Sequence, residues 1–462
     1  MRTTTGSLIG TLIFHLALLG CATTLSAAEK GLLAGAAKRS IVPPFPTHMG
    51  GFNDRLQSFE GVHDEIFVRA VVLDDGATRL IVIGSDLMAI DAELVALARE
   101  KISAATQIPA GNILISCAHN HSAPSYYQKN KPGEADAEPS LKQFLAKQFA
   151  EAAVEAYQQR VPARAGFHAG RLVGLTRNRQ QKNNDMIDPQ VGVVRVEERE
   201  GRKTIATLFN FTGHPVVIGS KNLLLSGEFP GAASRTVEGV LGGIAIFTQG
   251  ACGDITVNRT GDPFQEIERI GRTIAGEVIK ASGFISCTES LPLQAASRTV
   301  QLAARPVVPL AEAESALKRG TEALEEAKKK GLAPAAIQSI EDRNRVLEIA
   351  VKRAEILAKE PSKREERLTA EVQVMQIGEV ILVAIPGELF VEYALEMRSR
   401  VLQDSGKSMC LIGYANGYLG YIVTPRAMET GGYEASITRL DVQGGRVLTE
   451  TAIDLVRGLN IK

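Results

Sequence analysis

The stretch GNILISCAHNHSAPSYY (residues 111–127) runs an Ile-rich apolar segment straight into two histidines spaced one residue apart. The apolar part is too short for a helix and reads as a buried strand that ends at the histidines. The same pattern recurs in TRLIVIGSD (78–86), TIATLFNFTGH (204–214), GGIAIFTQGACGD (242–254) and EVILVAIPGE (379–388), each a run rich in Val, Ile or Phe that closes on a polar residue. Between such runs lie DAELVALAREKISAAT (91–106) and LKQFLAKQFAEAAVEAYQQR (141–160), whose apolar residues repeat at helical spacing. The expected fold is α/β, a mixed β-sheet core flanked by helices.

Ligand sites of open α/β sheets lie beyond the carboxyl ends of the strands. The residues that follow the runs are Asp86, His119 and His121, His214, Asp254 and Glu388, so one edge collects metal-binding and acid–base side chains. In an extended segment residues i and i+2 point to the same side, which suits the pair His119 and His121. Imidazole nitrogen is a preferred zinc ligand, and a catalytic zinc takes three protein groups and leaves a position open for water. By itself the pair is equally compatible with a hydrogen-bonded loop; His214 and Glu388 add ligands of the right type.

The whole chain sets bounds on this reading. It has 462 residues, 45% of them hydrophobic, with 52 basic and 52 acidic side chains, and therefore no charge footprint for nucleic acid. The same neutrality argues against a nuclease reading of the letters HNH. Residues 1–28 have the layout of a secretory signal: Arg2, an apolar stretch from Leu8 to Leu19, and small residues around Ala28. LLGC offers lipid attachment at Cys21 as a second route. The mature protein is expected to be exported, periplasmic or extracellular, and to meet a membrane only through that lipid or a lipid substrate. Cys117, Cys252, Cys287 and Cys410 then remain, too dispersed for a disulfide scaffold. Residues 29–462 read as one domain. Within it, about 310–367 is charged and rich in Ala, Glu, Lys and Leu, a helical hairpin insertion with Gly331 closing one helix and Pro334 opening the next. It reads as a solvated insertion rather than a lid.

No HExxH, GxSxG or GxxxxGK[ST] occurs, which lowers the zincin, α/β-hydrolase and nucleotide-hydrolase readings. An HxH motif also opens some amidohydrolase barrels, a minor alternative. The segments SCAHNHSAPSYY, RNRQ, FTGHPVVIGSKNLLLSGEFPGAAS, QGACGDITVN, IPGELF and GYANGYLGYIVTPRAMETGGYEAS occur in that order. SIVPPFPTHMGGF and GVHDEIFVRAVVLDDG precede them. In content, order and spacing the set resembles the catalytic N-terminal domain of the neutral/alkaline non-lysosomal ceramidases, over nearly the whole mature chain.

That resemblance implies one catalytic zinc ion held by His119, His214, Glu388 and Tyr433, with His121, Arg179 and Tyr421 lining the reacting amide. Tyr421 and Tyr433 keep the family's interval of twelve residues. Thr256 stands where the family has an active-site Ser, and Val257 where it has Pro; Thr keeps the hydroxyl and adds a methyl, which suits positioning better than nucleophilic attack. Cys252 has no adjacent His in sequence to activate it as a nucleophile. The implied activity is zinc-dependent hydrolysis of an N-acyl amide, ceramide or a related lipid or small molecule. Family ceramidases carry a further immunoglobulin-like domain, and the absence of Trp leaves no aromatic belt for a bilayer surface. A different amide or an ester is therefore the alternative substrate, and a non-catalytic binding protein the remaining one.

Overall fold

The computed structural model describes residue 1 and residues 31–52, 55, 57–126, 138–180, 185–361 and 366–459. The expected leader and Cys21 lie outside the described residues. From Gly31 to Lys462 the chain forms a single unit.

Two sheets stack in its centre. The first has eight strands in the spatial order Ile244–Gln249, Thr204–Phe211, Gln190–Glu198, Val161–Arg171, Leu33–Ser40, Phe67–Asp74, Arg79–Ser85 and Ile113–Cys117. Only the two outermost pairs are parallel. The second sheet has four strands, Leu293–Ala303, Arg367–Ile377, Val380–Ala384 and Ser408–Ile412, the last pair parallel. Strand periodicity explains the stacking, because successive side chains alternate faces. In Phe67–Asp74, Val68, Ala70 and Val72 join the core under helices Ala92–Thr106 and Glu138–Gln158, while Val71 and Leu73 join the core between the sheets. That inter-sheet layer also holds Leu114, Val194 and Ile246 of the first sheet against Met375, Leu382 and Ile412 of the second. Helices Glu228–Leu241 and Pro263–Ser282 cover the rest of the first sheet, and Val391–Ser405 with Gly444–Gly458 the outer face of the second. The molecule is thus mixed α/β with central strands such as Arg79–Ser85 and Val380–Ala384 covered on both faces, which is why those strands read as continuous apolar runs.

The charged segment forms helices Leu310–Lys329 and Pro334–Lys359, packed on each other. Gly331 takes φ +63° and donates to Lys328, Leu332 donates to Ala327, and Pro334 begins the second helix, the expected helix stop and start. Cys117, Cys252, Cys287 and Cys410 are all free thiols. No helix among the described residues is long and apolar enough to cross a membrane.

Candidate metal centre

The parallel strands Arg79–Ser85, Ile113–Cys117, Thr204–Phe211 and Val380–Ala384 deliver their following loops to one cavity of about 490 Å³. His119, His121 and His214 line it, with Glu388, Arg179, Tyr418, Tyr421 and Tyr433. Asp86 does not line it. That carboxylate is buried against the Arg69 guanidinium at 2.9 Å and accepts from the Phe67 N–H, so its work is to tie two strands.

His119 departs from the extended geometry expected of the pair. Its φ of +62° is left-handed, and the chain turns there, with Asn120 donating to the carbonyls of Asp86 and Ser226 and accepting from the Ser122 N–H. The turn, rather than strand alternation, brings the two rings together. Their Nε2 atoms lie 3.1 Å apart, and His214 Nε2 lies 2.9 Å from His119 Nε2. All three are buried.

The protons on two rings follow from their neighbours. His119 Nδ1 faces the Met88 carbonyl at 3.1 Å and His214 Nδ1 faces the Cys252 carbonyl at 3.0 Å. A carbonyl only accepts, so each Nδ1 carries hydrogen and the two rings turn their Nε2 atoms toward each other. Burial first, then the charges of His119 and Arg179 among others, pulls His121 and His214 well below the ordinary imidazole value, so both are neutral at pH 7. Three imidazole Nε2 atoms converging at such distances suit a single cation between them. The donor set fits a divalent metal, and the carbonyl-oriented imidazoles have the second layer that metal-bound histidines use.

Glu388 adds the carboxylate. Its Oε2 stands 3.4 Å from His119 Nε2 and 3.8 Å from His214 Nε2. Its Oε1 accepts from the Tyr418 hydroxyl at 2.5 Å. Burial works against its charge, and His119, Tyr418 and Arg179 outweigh it, holding the group below its ordinary value. Gly253 lets the neighbouring loop close on it, since a Cβ there would sit 2.4 Å from the Glu388 carbonyl. Asp254 locks this contact, accepting from Val391 N–H and from the Asn178 amide.

The two tyrosines differ. Tyr421 is buried and pairs in register with Glu388 on the adjoining parallel strand, so the two side chains leave the same face. Tyr433 opens helix Tyr433–Ile437 and is 48% exposed. Arg179 reaches the Tyr421 oxygen at 3.1 Å and the Gly253 carbonyl at 2.6 Å, and pairs with Glu434 at 2.9 Å. Thr256 is not brought into the cavity. It lies on the short strand Ile255–Val257, opposite Arg177, and bridges to His214 through the backbone.

Several contributors escaped the sequence reading. Tyr414 stacks on His119 with ring centroids 4.1 Å apart, and its hydroxyl meets Cys252 Sγ at 3.0 Å. Cys252 does have a histidine neighbour, His214 Nδ1 at 3.7 Å, but burial pushes its thiol up, so it is an inert packing group. Phe52 sets its ring edge-on to His121, and the buried Arg55 donates to the carbonyls of Gly50, Asn222 and His121. The aromatic spacing in GYANGYLGY was the one available signal for Tyr414 and Tyr418.

Comparison with known proteins bears on this centre. The family model "Neutral/alkaline non-lysosomal ceramidase, N-terminal" matches residues 33–270, which contain His119, His121, Arg179 and His214 but not Glu388, Tyr421 or Tyr433. The solved neutral ceramidase from Pseudomonas aeruginosa is similar in fold, with a TM-score of 0.72 at 18% identity over 93% of this chain and 74% of that one. A ceramidase described as complexed with C2 is similar at a TM-score of 0.72 and 16% identity, over 94% of this chain and 76% of that one. No curated protein sequence matches the chain.

Proposed function

Because the chain belongs to the neutral/alkaline non-lysosomal ceramidase family, we propose that it is an exported, zinc-dependent amidohydrolase that splits the N-acyl bond of a ceramide or related N-acyl lipid into a carboxylic acid and an amine. The observation that carries the metal reading is the meeting of three buried imidazole Nε2 atoms, two of them with Nδ1 committed to carbonyls, beside a buried carboxylate.

Held by His119, His214, Glu388 and a tyrosine oxygen, a zinc ion supplies the Lewis acidity that activates water near neutral pH. The chain's own groups do the rest. His121, neutral and edge-on to Phe52, is placed to accept a proton at Nε2 and return it to the leaving amine. Tyr421 receives a hydrogen bond from Arg179 and so keeps its own hydroxyl proton for an oxyanion in the cavity, a donor worth roughly 3 kcal/mol. The positive Arg179 beside it stabilises the same developing charge.

The register of Tyr421 with Glu388, against the exposure of Tyr433, favours a second version of the ligand set in which the tyrosines exchange roles. Tyr421→Phe and Tyr433→Phe separate the versions: the ligand's loss lowers metal content, while loss of the other lowers turnover with metal retained. Thr256 has no part in either version.

The test of the whole reading is release of fatty acid from acetyl- and palmitoyl-sphingosine by the purified mature protein, with zinc supplied and then chelated. Chelator-sensitive release supports it. A folded, zinc-loaded protein that releases neither acid, while cleaving other amides or esters, replaces the lipid substrate and keeps the centre. Export is checked by fractionating cells that make the full chain, the mature protein being expected outside the cytoplasm and starting after Ala28 or at Cys21.

A further inference from the structure

A second hollow lies beside the catalytic cavity, and the hydrolytic chemistry leaves it unused. It measures about 220 Å³ and lies between residues 305–308, the second hairpin helix and the end of helix Tyr433–Ile437. Its lining is aliphatic along Val307, Val308, Val346, Ile349 and Ala350, with Arg305 and Arg353 also lining it. Ile437 lines both this hollow and the catalytic cavity, so one side chain is their common wall.

The chain is stitched together at this wall. Ala304 bridges to Leu440, the Asp441 N–H donates to Ala303 and the Arg305 N–H to Arg439, while the Arg305 guanidinium donates to the Ala435 carbonyl inside the short helix. The base of the hairpin is thereby fixed to the segment that presents Tyr433 and Ile437. Helix Pro334–Lys359 packs on that same short helix. Val308 is 44% exposed at the hollow, an aliphatic side chain left facing water.

An apolar cavity of roughly 150 Å³ stays dry and accepts benzene. A larger, partly aliphatic hollow, one side chain away from an amide-cleaving centre, suits a hydrocarbon segment attached to that amide. We propose that the groove between the helical hairpin and helix Tyr433–Ile437 is the subsite for the N-acyl chain of the substrate, reached past Ile437. The proposal rests on the amidohydrolase reading and assigns the charged insertion a part in chain-length selection, where its sequence read as solvated surface.

Two variants test it. Val308→Asp places a charge in the groove from an exposed position, and Ala350→Trp fills it from the hairpin. In each, turnover of acetyl-sphingosine is compared with that of palmitoyl-sphingosine, and binding of cis-parinaric acid, a fluorescent long-chain fatty acid, is read without turnover. The expected result is unchanged kcat/KM for the acetyl substrate, a fall of about tenfold or more for the palmitoyl one, and weaker parinaric acid binding. Wild-type protein that binds no parinaric acid, or variants of unchanged melting temperature that bind it and select chain length as the wild type does, would overturn the subsite. Groove-dependent binding without cleavage of either amide would leave the alkyl site standing and remove the amidohydrolase reading instead.

Discussion

His121 is held by residues far from it in sequence. A Cβ at Gly51 would fall 2.1 Å from its Nδ1, and Gly51 has φ +100°, so both contact and backbone require glycine there. Gly51→Ala is expected to lower kcat about a hundredfold by displacing the ring, with metal content close to wild type. Steady-state kinetics beside metal analysis checks it. Glu228 makes a different prediction. Its fully buried carboxyl accepts from the Ile218 N–H at 3.0 Å, and burial raises it from 4.5 to about 7. The folded state therefore binds this proton more tightly than the unfolded one. Its stabilising effect is complete below the unfolded value and fades as pH climbs to about 7, a loss of about 3 kcal/mol. Denaturant unfolding at pH 4.5 and 7.5 should show a stability change between the two pH values that differs between wild type and Glu228→Gln by about that amount. His119, His121, His214 and Glu388 stood out in sequence because metal-binding types closed apolar runs. Gly51, Arg55 and Tyr418 did not, since each matters only through a partner the fold supplies.

At the scale of elements, Gly271 lets two helices touch. A Cβ there would meet the Ala232 Cβ at 2.5 Å and the Ala233 N at 2.8 Å, across the contact between helices Glu228–Leu241 and Pro263–Ser282. Gly271→Ala is expected to destabilise the protein by about 1–3 kcal/mol while leaving activity per folded molecule intact, as thermal melts and kinetics would show. Strands and hairpin were legible because their signals are local: apolar runs with polar ends, and Gly331 with Pro334. The division into two stacked sheets was not. Strands such as Val380–Ala384 and Arg79–Ser85 both carry a run of buried Leu, Ile and Val, and nothing in their residues says which sheet each joins.

For the whole molecule, metal and fold are expected to be linked. A ligand that binds only the folded state adds stability by mass action, about 2.7 kcal/mol at a hundredfold excess over its dissociation constant. Calorimetric melting should therefore show a zinc-dependent rise that His119→Ala removes. The proposed ligands come from loops of both sheets, with 95 residues between His119 and His214 and a further 174 (388 minus 214) before Glu388. Contacts of such long range form late and slowly. A chain still being made carries His119 and His214 before Glu388 has been added. On the proposed ligand set, metal capture would therefore wait until the last third of the polypeptide has folded and set Glu388 beside the two imidazoles.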